Sequence, residues 1–259
     1  MSETSEILLV LLAGLAAGTL NAVGGGGTFV ALPALVAAGL PPVTANAAST
    51  IALLPGSVAG TWVSRHEITQ VGGASTRAMT TTSVLGGGVG ATLLLVLPSA
   101  SFDAAVPWLL AFATVVLAFG RPALRLLGAG PERVGSLGPG VLLAGQFLLS
   151  IYGGYFGGAV GILMLALWSL GLGLDPATGN PMRIAQVTAV YVSAAALFLV
   201  ASDALAAPVL LTAMLMGAVV GGFAGARLAL RLPGRALRGV VLGTAVTMTV
   251  LYFLRTGTD

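Results

Sequence analysis

Arg183 stands three residues after Asn180 at the head of an apolar stretch that contains no acidic residue. A guanidinium there could grip an oxyanion through two parallel N–H donors. It could equally snorkel to an interface or help to orient the chain. Asn46 and Asn180 each follow a proline-containing turn, GLPPVTAN and GLDPATGN, and each opens an apolar run. Either amide suits a polar ligand or a helix N-cap. Asn21 and Thr28 flank four consecutive glycines in NAVGGGGTFVALP, residues 21–33. Ser49 and Thr50 add neutral hydrogen-bonding groups in the first half, and Tyr152, Tyr155 and Gln186 do so in the second. The candidate binding set is therefore Asn21, Gly24, Gly25, Gly26, Gly27, Thr28, Asn46, Ser49, Tyr155, Asn180, Arg183 and Gln186. One cation among neutral donors and acceptors is the chemistry of holding an anion.

Bond-breaking chemistry finds little support. There is no cysteine, and the lone His66 falls in a charged 65–67 cluster that reads as solvated loop. No HExxH motif occurs, and GGGGTF lacks both the lysine of a phosphate-binding loop and the strand–helix setting of a dinucleotide site. Neither an enzyme nor a cofactor or metal site is expected.

The elements that must position these residues are written in the composition. The chain is 57% hydrophobic and only 7% charged, where an ordinary soluble domain is roughly 25% charged. Too little polar surface exists to cover a soluble particle. Apolar runs fall at about 7–38, 45–64, 78–97, 105–120, 139–174, 182–200, 208–226 and 239–254, most of them long enough to cross a bilayer core. They do not alternate as barrel strands would. An all-α polytopic membrane protein follows, with the lipid bilayer as a partner. The basic residues are all arginines placed near the ends of apolar runs, so the pI near 10 reads as membrane orientation and no nucleic acid partner is expected. The first run follows the acidic stretch SETSE and is not expected to act as a signal peptide.

An internal repeat emerges from the same motifs. GLPPVTAN at 39–46 pairs with GLDPATGN at 173–180 through Gly39/Gly173, Leu40/Leu174, Pro42/Pro176, Thr44/Thr178 and Asn46/Asn180. The same spacing pairs Gly24 with Gly158 and Gly27 with Gly161. With one inserted residue it pairs GGGVGA at 86–91 with GGFAGA at 221–226. The chain divides into a first repeat, 1–130, and a second, 131–259, within one membrane domain. Equivalent loops have opposite charge character. The 65–77 loop holds Arg65 and Arg77 against Glu67, and its counterpart at 201–207 holds only Asp203. The 98–104 loop holds only Asp103, and its counterpart at 227–238 holds four arginines. By the positive-inside rule the halves are inverted.

Tracing the chain from these loops makes 7–38 start and end on one side, so it is expected to form a hairpin of two short helices turning at 21–27. The second long run, 139–174, is expected to do the same from the opposite side. Each repeat then has one glycine-broken hairpin and three transmembrane helices. In lipid every backbone N–H and C=O needs a partner, so such a break must be buried in protein or line a wet cavity. The half-helices starting at Thr28 and near Gly161 would aim free N–H groups at the centre, where an anion can bind. Interrupted segments at matching positions of inverted halves point to the central site of a transporter. Gly86–Gly90 and Gly221–Gly225 read instead as close contacts between helices. No acidic residue falls well inside a run, since Glu67, Asp103, Glu132, Asp175 and Asp203 all lie near loops. That argues against a carboxylate proton relay and suits an anion.

The segments GTLNAVGGGGTFVALPALVAAGLPPVTANAAST and GGYFGGAVGILMLALWSLGLGLDPATGNPMRIAQ resemble the two halves of the sulfite exporter TauE/SafE family signature. The resemblance covers essentially the whole chain. It implies a multi-pass permease of the bacterial inner membrane that moves sulfite, organosulfonates or related sulfur-containing anions, often outward. One departure stands out: Ala159 and Val160 occupy positions where further glycines are usual, so the two hairpins need not play equal roles. The expected function is a secondary transporter, an exporter of a small anionic substrate, working by alternating access with a midplane site between the hairpins. An anion channel and a non-transporting assembly component are the alternatives, and a homodimer is left open.

Overall fold

The computed structural model describes residues 3–126, 137–174 and 176–229, together with positions 243, 246, 247 and 250. Apart from an isolated bridge between Val71 and Ala74, all regular structure among the described residues is helical. The elements are α1 (Glu3–Gly24), α2 (Thr28–Ala37), α3 (Pro42–Ser64), α4 (Thr76–Val96), α5 (Ser99–Leu126), α6 (Pro139–Tyr155), α7 (Val160–Leu172), α8 (Pro176–Ala201) and α9 (Pro208–Ala229). Short 3₁₀ turns at Arg65–Glu67 and Asp203–Ala206 close α3 and lead into α9. The run expected at 239–254, most of the arginine-bearing 227–238 stretch and the 127–136 part of the linker lie outside the described residues.

Four helices among the described residues are long and apolar enough to cross a membrane, at Thr4–Val23, Thr76–Val96, Thr178–Ala201 and Pro208–Gly225. Their outer faces display large apolar side chains such as Leu12, Leu85, Val200 and Phe223. In water such faces would be a liability; against acyl chains they cost nothing. Although α3 has 23 residues, it lacks that uniform apolarity. Its inner face is polar instead, with Asn46, Ser49, Thr50 and Ser57 all buried.

Both long runs are broken where the glycines stand, at residues 25–27 and 156–159. The lengths differ from expectation. The first limb is not a short helix: α1 has 22 residues, enough to span, while α2 has only 10. The second pair is more even, with 17 residues in α6 and 13 in α7. The reason is that nothing in SETSEILLVLLAGLAAGTLNAV stops a helix until the glycines arrive. Beyond the break Gly27 packs against Ala17 and Asn21, so the start of α2 lies against α1.

The helices associate through small residues. A Cβ at Gly18 would collide with the Ala218 carbonyl, one at Gly221 with that of Leu15, and one at Gly90 with that of Ile151. Lipid tails offer no hydrophobic drive for helices to associate, so close backbone approach supplies the packing energy. The same contacts give directions. Gly14 faces Met214, Gly18 faces Ala218 and Thr19 Oγ1 donates to Gly221 O at 3.1 Å, so α1 and α9 run parallel. Gly86 faces Phe147 and Gly90 faces Ile151, so α4 and α6 run parallel as well. At the centre Gly60 faces Ile184, and Thr188 Oγ1 donates to Ser57 O at 3.0 Å, so α3 and α8 cross antiparallel.

Candidate functional site

The two breaks meet at the centre of the molecule. A Cβ on Gly25 would lie 3.4 Å from Gly161 Cα, and one on Gly157 would lie 3.2 Å from Thr28 Oγ1 and 3.7 Å from Thr50 Oγ1. Each break is thus lined by the start of the half-helix from the other run. Gly25 and Gly157 have φ of 79° and 78°, a left-handed turn that glycine adopts without penalty. Ala159, at φ 59°, is the one non-glycine residue in that region among the described residues.

Arg183 enters this centre from α8. It is 1% exposed, its Nε donates to Asn180 Oδ1 at 2.8 Å and its Nη2 to Ala22 O at 3.4 Å. Its Nη1 sits where side chains on Gly25 or Gly161 would be, 2.8 Å and 2.9 Å from their hypothetical Cβ atoms. The absence of those side chains is what makes room for the guanidinium. Among the described residues no acidic side chain is buried with it, and between Ile7 and Ser64 the chain holds no Asp, Glu, Lys, Arg or His at all. Taking a cation out of water without a counter-ion is costly, so an incoming anion would relieve that cost.

Asn46 makes the matching contact from α3. Its Nδ2 donates to Tyr155 O at 3.0 Å, at the end of α6, as Arg183 reaches Ala22 O near the end of α1. Both are polar caps that supply donors to helix-end carbonyls. Because a carbonyl can only accept, the Asn46 amide is fixed with Oδ1 pointing elsewhere, and that buried oxygen has no partner. Thr28 Oγ1 and Asn21 Oδ1 are likewise buried without a partner, while Asn21 Nδ2 donates to Ser57 Oγ at 2.9 Å. Unpartnered buried polar atoms are uncommon in native folds; of the five among the described residues three lie at the breaks, and the other two are Gln146 Oε1 and Trp168 Nε1.

A cavity of ≈70 Å³ runs from this centre toward the end of α3, lined among others by Asn21, Ser57, Ser64, Glu67, Asn180 and Arg183. Such a volume holds several water molecules. Glu67 is exposed at its mouth beside Arg65, and Arg183 is buried at its inner end.

Of the residues singled out from sequence, Asn21, Gly25, Gly27, Thr28, Asn46, Asn180 and Arg183 come together at the breaks. Gly24 ends α1, and Gly26 O accepts the Phe29 N–H at the start of α2. Ser49 is buried but spends its hydroxyl on Asn46 O of its own helix, at 2.8 Å. Tyr155 offers its carbonyl to Asn46, and its ring packs edge-on to Phe102 at 5.6 Å. Gln186 points away from the breaks: it accepts from Ser83 Oγ at 2.9 Å and donates to Thr80 Oγ1 at 3.2 Å on α4. Ser83 also accepts from Gln146 at 2.9 Å, so a separate polar knot ties α4, α6 and α8. The sequence reading missed Ser57, Tyr191, whose hydroxyl donates to Gly157 O at 3.2 Å, and Gln146. Only Gln146, a lone amide within an apolar run, carried a signal that could have found it.

No curated protein and no solved structure matches the chain. The family model described as Sulfite exporter TauE/SafE matches residues 10–252. That match takes in both glycine breaks, Asn46, Asn180 and the buried arginine, and the chain belongs to the TauE/SafE family of sulfite exporters.

Proposed function

We propose that this integral membrane transporter of the sulfite and anion type works as a secondary transporter by alternating access. A small sulfur oxyanion or sulfonate binds near the midplane between the two helix breaks, and Arg183 is its principal ligand. The observation that supports this best is a fully buried arginine with no carboxylate partner among the described residues, set between Gly25 and Gly161 at the inner end of a cavity. Asn180 holds the guanidinium in place, and Asn21, Thr28 and Asn46 offer polar atoms not used by the fold. Binding between two halves, 1–130 and 131–259, lets one rock against the other. Inverted repeats are supported by direction: α3 and α8, equivalent by the Asn46/Asn180 register, cross antiparallel, and the α1–α9 pairing is mirrored by α6–α4. Two copies related by an axis along the membrane normal would place α3 and α8 parallel. The family's exporter description supports outward movement, and the bacterial inner membrane is carried over from the sequence resemblance alone.

The test is thermal unfolding of the purified protein with sulfite, methanesulfonate, thiosulfate and acetate, for wild type and Arg183→Met. A ligand that binds only the folded state raises apparent stability. Charge-assisted hydrogen bonds contribute about 1.5–3 kcal/mol, so Arg183→Met is expected to weaken a sulfur-anion shift by about tenfold or more in concentration. The ligand-free variant should be no less stable, since an unpaired buried charge has been replaced by an apolar chain. An unchanged shift in Arg183→Met would remove Arg183 from the site. A flux that does not saturate would favour an anion channel instead.

A further inference from the structure

We propose that the central site is matched to the charge of its ligand: it accepts a singly charged, protonated oxyanion such as hydrogen sulfite and rejects the dianion. This rests on the anion-site reading above and adds the charge state of the bound species.

The charge at the centre can be counted. Arg183 is the one charged side chain buried among the described residues. A guanidinium keeps its proton throughout the range in which sulfite titrates. The helix ends add little net charge. Each break brings together one C-terminus and one N-terminus: Gly24 of α1 with Thr28 of α2, and Tyr155 of α6 with Val160 of α7. Their partial charges, about −0.5 and +0.5, cancel in pairs and leave the arginine's single positive charge. Of other titratable groups, Tyr191 faces the site from α8, and Glu67 lies at the exposed cavity mouth, where solvent screens it. The described stretches of α1 beyond Glu6, α2, α3 and α7 contribute none; α6 brings Tyr152 and Tyr155, whose rings pack on Phe112 and Phe102, and Arg77 of α4 is exposed.

A monoanion therefore neutralises the site, whereas a dianion would leave a net negative charge buried away from water. The unpartnered atoms point the same way. Asn46 Oδ1 is an acceptor fixed by its own amide donor on Tyr155 O, and Asn21 Oδ1, whose amide donates to Ser57 Oγ, is a second buried acceptor without a partner. Acceptor oxygens repel the oxygens of a fully deprotonated ligand and welcome one that brings a proton. Only a donor on the ligand, or a water, can satisfy them.

The experiment is thermal unfolding of the full-length protein, titrated with total sulfite at a series of pH values spanning the conversion of hydrogen sulfite to sulfite. Each shift is referred to ligand-free protein at the same pH. A methanesulfonate series, whose charge does not change, separates ligand titration from titration of the protein, and a sulfate series supplies a dianion of similar shape. When only a fraction of the species binds, apparent affinity falls with that fraction. The expected result is an apparent Kd for total sulfite that rises about tenfold per pH unit above the conversion, with methanesulfonate constant and sulfate without effect. A sulfite affinity that stays flat or improves as the dianion forms would overturn the charge-state proposal and leave the anion site standing. Stabilisation by sulfate equal to that by sulfite at low pH would do the same. No shift with any anion at any pH would remove the anion site itself, and the charge-state proposal with it.

Discussion

Ala159 is a residue in the wrong chemical form for its backbone. It sits at φ 59° as the residue leading into α7, in the left-handed region that costs an L side chain about 1–2 kcal/mol. The position is one where the family resemblance leads one to expect glycine, and the geometry supplies the reason. Ala159→Gly should relieve the strain. Against that gain stands about 0.4–1 kcal/mol of extra freedom in the unfolded chain, so a net stabilisation of up to about 1 kcal/mol is expected. A rise in thermal unfolding midpoint checks it, and a clear fall would show that the Ala159 methyl, which is 1% exposed, packs well enough to outweigh the strain. At this scale the sequence was legible where a residue type is rare in its setting. An arginine or an asparagine in an apolar run announces itself. Ser57 and Tyr191 do not, because serine and tyrosine are ordinary in membrane helices and only the tertiary fold aims them at the centre.

At the scale of elements, the half-helix α7 offers a clean separation of fold from function. Gly161 is helical and has no positive φ, so alanine there meets no backbone penalty and is the better helix former. Its Cβ would nonetheless fall 2.9 Å from Arg183 Nη1 and 3.2 Å from Arg183 Cδ, so the guanidinium must move. Gly161→Ala is expected to keep the fold and lose most of the anion-dependent thermal shift. Gly25→Ala meets the same guanidinium at φ 79° and should lose both, with backbone strain of about 1–3 kcal/mol. Equal ligand shifts in Gly161→Ala and wild type would show that the arginine's position is not critical. The breaks themselves could be read from sequence, because consecutive glycines have few other uses within an apolar run. The limb lengths could not. A helix continues until something stops it, and the charge-based tracing of loops, which fixes only sides, says nothing about how far α1 extends before the glycines.

For the whole molecule, the proposed repeat has a consequence for what fills the two inner faces. In the Asn46/Asn180 register the cavity residues Asn21, Ala22, Ser57 and Ser64 correspond to Tyr155, Phe156, Tyr191 and Phe198. Small and polar side chains on one side of the centre face bulky aromatic ones on the other. Phe156, Tyr191 and Phe198 are fully buried, and Phe102 closes over Tyr155 and Phe156 at ring distances of 5.6 Å and 6.5 Å. A cavity therefore leads from the Glu67 end toward the buried Arg183, while the equivalent positions toward the Ala201 end are filled by packed rings. Alternating access would require that plug to part when the open cavity closes: the edge-to-face Phe102–Tyr155 contact can separate without losing a hydrogen bond, whereas Tyr191 would have to release its bond to Gly157 O. The chain has no cysteine, so single cysteines report access without background. Ser64→Cys should react with a small water-soluble thiol reagent added from the Glu67 side, and Phe198→Cys should be protected in the ligand-free protein. Adding transported anion should slow the first reaction and speed the second. If Phe198→Cys reacts as fast as Ser64→Cys with or without anion, the aromatic cluster is no barrier. A continuous pore, and hence a channel, would then describe the molecule better than a transporter that opens to one side at a time.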